Sequence, residues 1–277
     1  MNIFSSLRRK ILFFLVVCLM IVSSLFGQTT TLYKISPKEY SNTAVIICPG
    51  GSYYWLDMKS EGKIVAEWLS ENNISAYVLK YPTSSWLSFF FHIRSPYRSQ
   101  YPAQLESLKE ALKIVKNEGF ENVGVMGFSA GGHLAVNSAV SIKDSLAPDF
   151  VTAIYPVVTM KSPYVHKRSR RGLLGERRSK KTCMQDSLSL ELHAEKISCP
   201  LFLVNCKDDK TVDYRNSELL YNAMLKNPNS KITYIQFNTG GHGFGADDSK
   251  ANEEAILWKE SWILWLKENI NFKILQK

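Results

Sequence analysis

A serine, an aspartate and a histidine, the three residue types that together perform nucleophilic acyl transfer, each follow an apolar run in this chain. Ser129 sits in Gly127-Phe128-Ser129-Ala130-Gly131, directly after Asn122–Met126 and directly before the small-residue segment Gly132–Val140. A strand, a sharp turn carrying serine and then a helix is the setting in which G-x-S-x-G marks a nucleophile. The serine of such a turn is held in a strained backbone conformation, and its neighbours must be nearly free of side chain. Asp208 and Asp209 lie on the loop just past the apolar run Pro200–Asn205. His242 lies in the glycine-rich stretch Asn238–Gly245, after the run Ile232–Gln236. A hydroxyl becomes a competent nucleophile when an imidazole takes its proton and a carboxylate orients the imidazole. Ser129, Asp209 and His242 are the expected nucleophile, orienting acid and base.

Such a constellation needs a scaffold that brings three distant loops together, and the rest of the chain reads as one. Thr43–Cys48, Ser75–Lys80, Asn122–Met126, Phe150–Tyr155, Pro200–Asn205 and Ile232–Gln236 are short apolar runs with the character of buried strands. Between and after them, Lys59–Glu71, Tyr101–Glu118, Asp213–Asn227 and Lys250–Glu268 place apolar residues at helical spacing. The Trp258, Trp262 and Trp265 stripe of the last helix reads as core packing. Alternating strands and helices imply an α/β fold, a mostly parallel sheet covered on both faces. Two segments break the rhythm, the aromatic loop Ser84–Gln100 and the basic region 161–195, and both are expected as insertions at a site rim or cap.

At 277 residues the chain suits one large domain, expected over 28–277. Before it, Arg8, Arg9 and Lys10 precede an apolar stretch from Ile11 to Phe26, with small residues near Gly27 and polar residues after it. This pattern is that of a secretory signal over residues 1–27, cleaved after Gly27, which directs the enzyme to the periplasm or the exterior; an uncleaved membrane anchor is the alternative. Cys48 and Cys206 end strands and read as buried thiols, while Cys183 and Cys199 flank one connecting segment and are open to pairing. No Cys/His spacing resembles a zinc site, so neither metal nor cofactor is expected. The net charge of +9 is concentrated between Lys161 and Lys181. That run reads as a solvated loop, or as a contact for an anionic polymer. No segment resembles a nucleic-acid-binding module.

The motifs together resemble the α/β-hydrolase esterases that include acetyl xylan esterases and feruloyl-esterase-like hydrolases. The matching stretches are Pro49-Gly50-Gly51, Gly127–Ala135, Ser169–Gly175, Asp208–Val212 and Gly240–Gly245, which span most of the chain beyond residue 40. The chain order Ser, Asp, His is the one such hydrolases use. The resemblance implies a Ser129–His242–Asp209 triad, with Asp209 preferred to Asp208 by its register with Val212. It also implies an oxyanion hole from the backbone N–H groups of Gly51 or Ser52 and of Ala130. Tyr53, after the oxyanion turn, and Arg170, in the cap-like region, are candidate substrate contacts, whereas His133 reads as a packing residue. Ser52 stands where the family often has a third glycine, and Asn205 and Asp213 replace its usual histidine and proline.

The function expected on this basis is a secreted serine carboxylesterase acting on short acyl esters, acetyl above all, of a small molecule or polysaccharide. Two other readings compete with it. One is a serine peptidase of the prolyl-oligopeptidase type, which usually carries a propeller domain that this chain has no room for. The other is a non-catalytic protein that binds a polyanion or glycan through the basic run.

Overall fold

The structure, a computed structural model, describes residues 31–84 and 99–275. The expected signal segment, residues 1–27, and most of the aromatic loop Ser84–Gln100 lie outside the described residues.

Seven strands form one sheet: β1 (Thr31–Ile35), β2 (Thr43–Cys48), β3 (Ser75–Lys80), β4 (Asn122–Phe128), β5 (Phe150–Ile154), β6 (Leu201–Cys206) and β7 (Ile232–Phe237). Their spatial order is β1-β3-β2-β4-β5-β6-β7. Only β1 is antiparallel, pairing with β3 from Thr31 opposite Lys80 to Ile35 opposite Ala76. All other pairings are parallel. The C-terminal ends of β2, β4, β6 and β7 therefore open on one edge of the sheet, where ligands bind in open α/β folds. β1 is the strand that the sequence reading missed. Its apolar and polar residues are mixed, and it is only partly buried at the sheet edge.

Strand period sorts the apolar residues into two layers. Ala44, Ile46 and Cys48 of β2 join one core with Leu108 and Leu112 of α2 (Ala103–Lys116) and Leu134 of α3 (Ala130–Ser141). Val45 and Ile47 face the opposite core, built on α1 (Ile64–Glu71) and the C-terminal helix α7 (Trp258–Asn269). The tryptophan stripe is core, as expected. Trp258 and Trp262 lie edge-on to Trp68, with centroids 5.0 and 5.4 Å away. Trp262 Nε1 donates to Thr152 Oγ1 at 2.7 Å, so its polar edge is satisfied inside the sheet.

Three segments depart from the sequence-based expectation. The helix expected from Lys59 opens as a π-helical turn, Lys59–Lys63, before α1. The helix expected from Lys250 becomes α-helical only at Trp258, after a 3₁₀ turn at Ala255–Leu257. Residues before that turn are held by side chains instead: Asn252 Oδ1 accepts from Ala255 N at 2.7 Å, and Glu254 accepts from the Asn238 and Thr239 backbone. The basic region is not a solvated loop. It folds into α4 (Lys167–Arg178) and α5 (Thr182–Ser187), and Ser169, Gly172, Leu173 and Leu174 are buried. The open pairing of Cys183 with Cys199 does not form, and both are free thiols. A sixth helix in chain order, α6 (Arg215–Met224), covers the sheet beside β6 and β7.

Candidate active site

β4 delivers Ser129 at the N-terminus of α3 with φ +53° and ψ −116°, a conformation that L residues rarely adopt. The strain persists because the surroundings leave no other path. Ser129 N donates to Ile154 O at 3.0 Å, and its own carbonyl accepts from His133 N and Val157 N. A Cβ on Gly127 would lie 2.1 Å from Gly131 O, and one on Gly131 would lie 1.9 Å from Cys48 O. The turn thus requires glycine on both sides of the serine. Gly131→Ala is expected to destabilise the fold by about 3 kcal/mol, because the helix would have to separate from β2. The check is a lower midpoint of urea unfolding at unchanged slope.

The structure brings the three residues of the expected triad together. His242 Nε2 lies 2.9 Å from Ser129 Oγ, and His242 Nδ1 lies 2.6 Å from Asp209 Oδ2. An aspartate carboxylate only accepts, so Nδ1 carries the hydrogen, and in the neutral ring Nε2 accepts from the serine hydroxyl. The other Asp209 oxygen accepts from Thr211 N at 2.8 Å and Val212 N at 3.0 Å, which fixes the carboxylate plane. Asp208 has a different place. Its carboxylate accepts from Gly241 N at 2.8 Å and Gly240 N at 3.3 Å, on the approach to His242. Asn205 and Asp213, which depart from the family pattern, still brace this region: Asn205 Nδ2 donates to Tyr214 O, and Asp213 pairs with Arg215 at 2.5 Å.

Beside the serine, the turn after β2 runs through three successive positive φ angles, Gly51 (+131°), Ser52 (+57°) and Tyr53 (+64°). Tyr54 N and Trp55 N close it onto Gly51 O. Among the described residues, the Gly51 and Ser52 N–H groups donate to no protein acceptor, and the Ala130 N–H opens α3, where a helix has no internal acceptor. The turn touches the nucleophile, since a Cβ on Gly50 would lie 2.9 Å from Ser129 Cβ. α4 seals its far side: a Cβ on Gly172 would meet Ser52 O at 2.3 Å, and Arg168 Nε donates to Ser52 Oγ at 3.0 Å.

The two expected substrate contacts both have protein partners in the structure. Tyr53 is fully buried, donating to or accepting from His133 Nδ1 at 2.9 Å, so it supports the turn from below and lines no opening. Arg170 Nη1 donates to Met160 O at 2.9 Å. Arg168, which bonds Ser52, also packs over the Trp55 ring at 5.5 Å, and Trp55 is 40% exposed. His133 is a packing residue, as expected, and burial lowers its pKa to about 4. His166, at the start of α4, places Nδ1 2.7 Å from Ser169 Oγ, and burial likewise lowers its pKa to about 4. Two residues to which the sequence reading gave no site role, Glu61 and Tyr155, lie directly behind the site. No group of His, Cys, Asp or Glu side chains among the described residues could hold a metal ion.

A parallel sheet whose strand ends present a serine elbow, an acid loop and a histidine loop, in that chain order, has the α/β-hydrolase architecture. The chain belongs to the alpha/beta hydrolase fold family, which it matches over residues 92–246. It is 26% identical over 216 residues to the acetylxylan esterase of Xylanibacter ruminicola, covering 76% of this chain and 42% of that protein. It is 29% identical over 233 residues to endo-1,4-beta-xylanase B of Butyrivibrio fibrisolvens, covering 78% of this chain and 34% of that protein. The chain thus spans less than half the length of either relative. Among solved structures, the acetyl ester-xyloside bifunctional hydrolase from Caldicellulosiruptor lactoaceticus is similar with a TM-score of 0.70 at 25% identity, over 86% of this chain and 87% of that one. A truncated carbohydrate esterase from gut microbiota shares the fold, with a TM-score of 0.66 at 18% identity over 88% and 91% of the two chains.

Proposed function

We propose that this protein is a serine carboxylesterase that removes short acyl groups, acetyl above all, from carbohydrate. The observation that carries the proposal is the hydrogen-bonded relay Ser129–His242–Asp209, at 2.9 and 2.6 Å, beside a turn whose Gly51 and Ser52 N–H groups meet no acceptor among the described residues.

In the reaction, Ser129 Oγ bonds to the ester carbonyl carbon while its proton passes to His242 Nε2. The carbonyl π pair moves onto oxygen, where the Gly51 or Ser52 and Ala130 N–H groups receive it. Each such donor contributes about 3 kcal/mol to lowering the barrier. The intermediate collapses, the alcohol oxygen leaves with the proton from Nε2, and an acyl-serine remains. Water then repeats the sequence and releases the acid. Asp209 keeps the Nδ1 hydrogen in place throughout and favours the imidazolium that forms twice per turnover. The side chains present suffice for this chemistry with no cofactor.

The carbohydrate assignment draws on the names of the acetylxylan esterase and of the acetyl ester-xyloside hydrolase that the chain resembles. The exposed Trp55 beside the oxyanion turn suits stacking against a sugar face. Residues 1–27 are proposed as the secretory signal, which would place the enzyme where such polymers are met. The test is acetate release from acetylated xylo-oligosaccharides, beside p-nitrophenyl esters of increasing acyl length, with Ser129→Ala as the blank. Turnover should be highest for acetyl esters and fall steeply with chain length. Release of peptide or long-chain products in preference to acetate would overturn the assignment.

A further inference from the structure

Glu61 is a carboxylate buried behind the site that the triad chemistry leaves unused. It sits in the π-helical turn Lys59–Lys63 and is 3% exposed. A turn of that type inside a helix commonly marks a functional constraint. One of its oxygens, Oε2, accepts from Gly50 N at 2.6 Å. The other, Oε1, accepts from Tyr155 Oη–H at 2.9 Å, and Tyr155 Oη in turn accepts from Gly245 N at 2.9 Å. A continuous chain of hydrogen bonds therefore joins the turn that carries the oxyanion donors to the loop that carries His242.

Two features show that this chain is built to tight tolerance. Gly50 is wedged between Glu61 and the nucleophile, since a Cβ there would lie 2.6 Å from Glu61 Oε2 and 2.9 Å from Ser129 Cβ. Tyr155 holds an unusual φ of +38°, and its ring lies against the His242 imidazole with centroids 4.5 Å apart. The donors favour the carboxylate. The Gly50 amide donates to Oε2 and the Tyr155 hydroxyl donates to Oε1. A hydrogen added to Oε2 would face the Gly50 N–H, and one added to Oε1 would compete with the tyrosine hydrogen, either of which is costly in a buried site. Burial raises the Glu61 carboxyl above its ordinary range, with Asp57 adding to the rise; His242, the Tyr155 hydroxyl and the Gly50 amide draw it back.

We propose that Glu61 is an anionic positioning residue of the esterase reaction, holding the Gly50–Ser52 turn in register with the His242 loop and favouring the imidazolium as Ser129 gives up its proton. The proposal rests on the esterase reading. It acts through other groups: Glu61 touches neither the nucleophile nor the space in front of it.

The test compares wild type, Glu61→Gln and Tyr155→Phe in the full chain, by steady-state hydrolysis of p-nitrophenyl acetate and by the rate at which a fluorophosphonate labels Ser129. Glu61→Gln is expected to lower kcat about 10²-fold, the cost of a small misplacement at a reacting centre, with KM unchanged. Labelling should slow in parallel. The acid limb of kcat/KM should move to lower pH, because an anion that favours the protonated base has been removed. Asp209, which faces the same ring, remains. Tyr155→Phe keeps the ring on His242 and removes only the link, so it should fall less. The double variant should fall no further than Glu61→Gln, since both cut one chain.

If Glu61→Gln shows no cooperative thermal unfolding, Tyr155→Phe carries the test. A lowered Tm with unchanged kcat and labelling rate would mean a packing role and overturn the proposal. A wild type that is labelled but hydrolyses no ester overturns the esterase reading while labelling still decides Glu61. A wild type that is neither labelled nor active overturns both.

Discussion

Ester turnover by Ser129→Ala is expected to fall about 10⁴- to 10⁶-fold below wild type, with substrate still bound. The magnitude follows from what the hydroxyl does. In the proposed reaction Oγ forms the covalent bond, and it lies 2.9 Å from His242 Nε2. With a methyl group in its place no acyl-serine can form, and the base can at best activate water for direct attack. The Gly51 turn proposed to hold the oxyanion is untouched, so some acceleration over the uncatalysed reaction is expected to survive. The substitution should not unfold the protein. Alanine keeps the same Cβ, carries the same strained φ of +53° and removes no bond that ties β4 to α3. A single assay of acetate release beside a thermal unfolding curve reads both statements. A loss below tenfold at unchanged Tm would mean that another group attacks the ester.

Much of this site was legible in the chain because its parts are local. A strand that ends in G-x-S-x-G needs small residues within two positions of the serine, and the clash distances at Gly127 and Gly131 show why. The acid and the histidine follow their strands directly, so parallel topology alone carries them to one edge. The legible part stops where a role depends on a distant partner. Glu61 looks like any surface glutamate of an amphipathic helix; its partners are Gly50 on the preceding turn and Tyr155, itself bonded to Gly245, the last two far away in sequence. Tyr53 follows the oxyanion turn and reads as a pocket wall, but its φ of +64° turns the ring down toward His133. The basic run reads as solvated because charge dominates its composition. Five buried positions, Ser169 and Gly172 to Gly175, were enough to dock α4 on Ser52 and to set Arg168 and Arg171 on Trp55 and Tyr54.

Adjacent carboxylates at 208 and 209 should respond very differently to the same isosteric change. In Asp209→Asn the amide oxygen can keep the bonds from Thr211 N and Val212 N, which leaves the amide nitrogen facing His242 Nδ1. Two donors then oppose each other. The ring relieves this by moving its hydrogen from Nδ1 to Nε2, and Nε2 can no longer accept the Ser129 proton. The geometry survives while the base is lost, so kcat should fall about 10⁴-fold. Asp208→Asn meets only the Gly240 and Gly241 amides, one of which keeps an oxygen acceptor. It loosens the approach to His242 without changing the tautomer, and a loss of roughly tenfold is expected from misplacement alone. Side-by-side kcat values at neutral pH separate the two, with thermal unfolding to confirm that both variants are folded. Because the bond to Nδ1 is the difference between them, a larger loss at 208 than at 209 would mean that the acid loop shifts by one residue when substrate is bound.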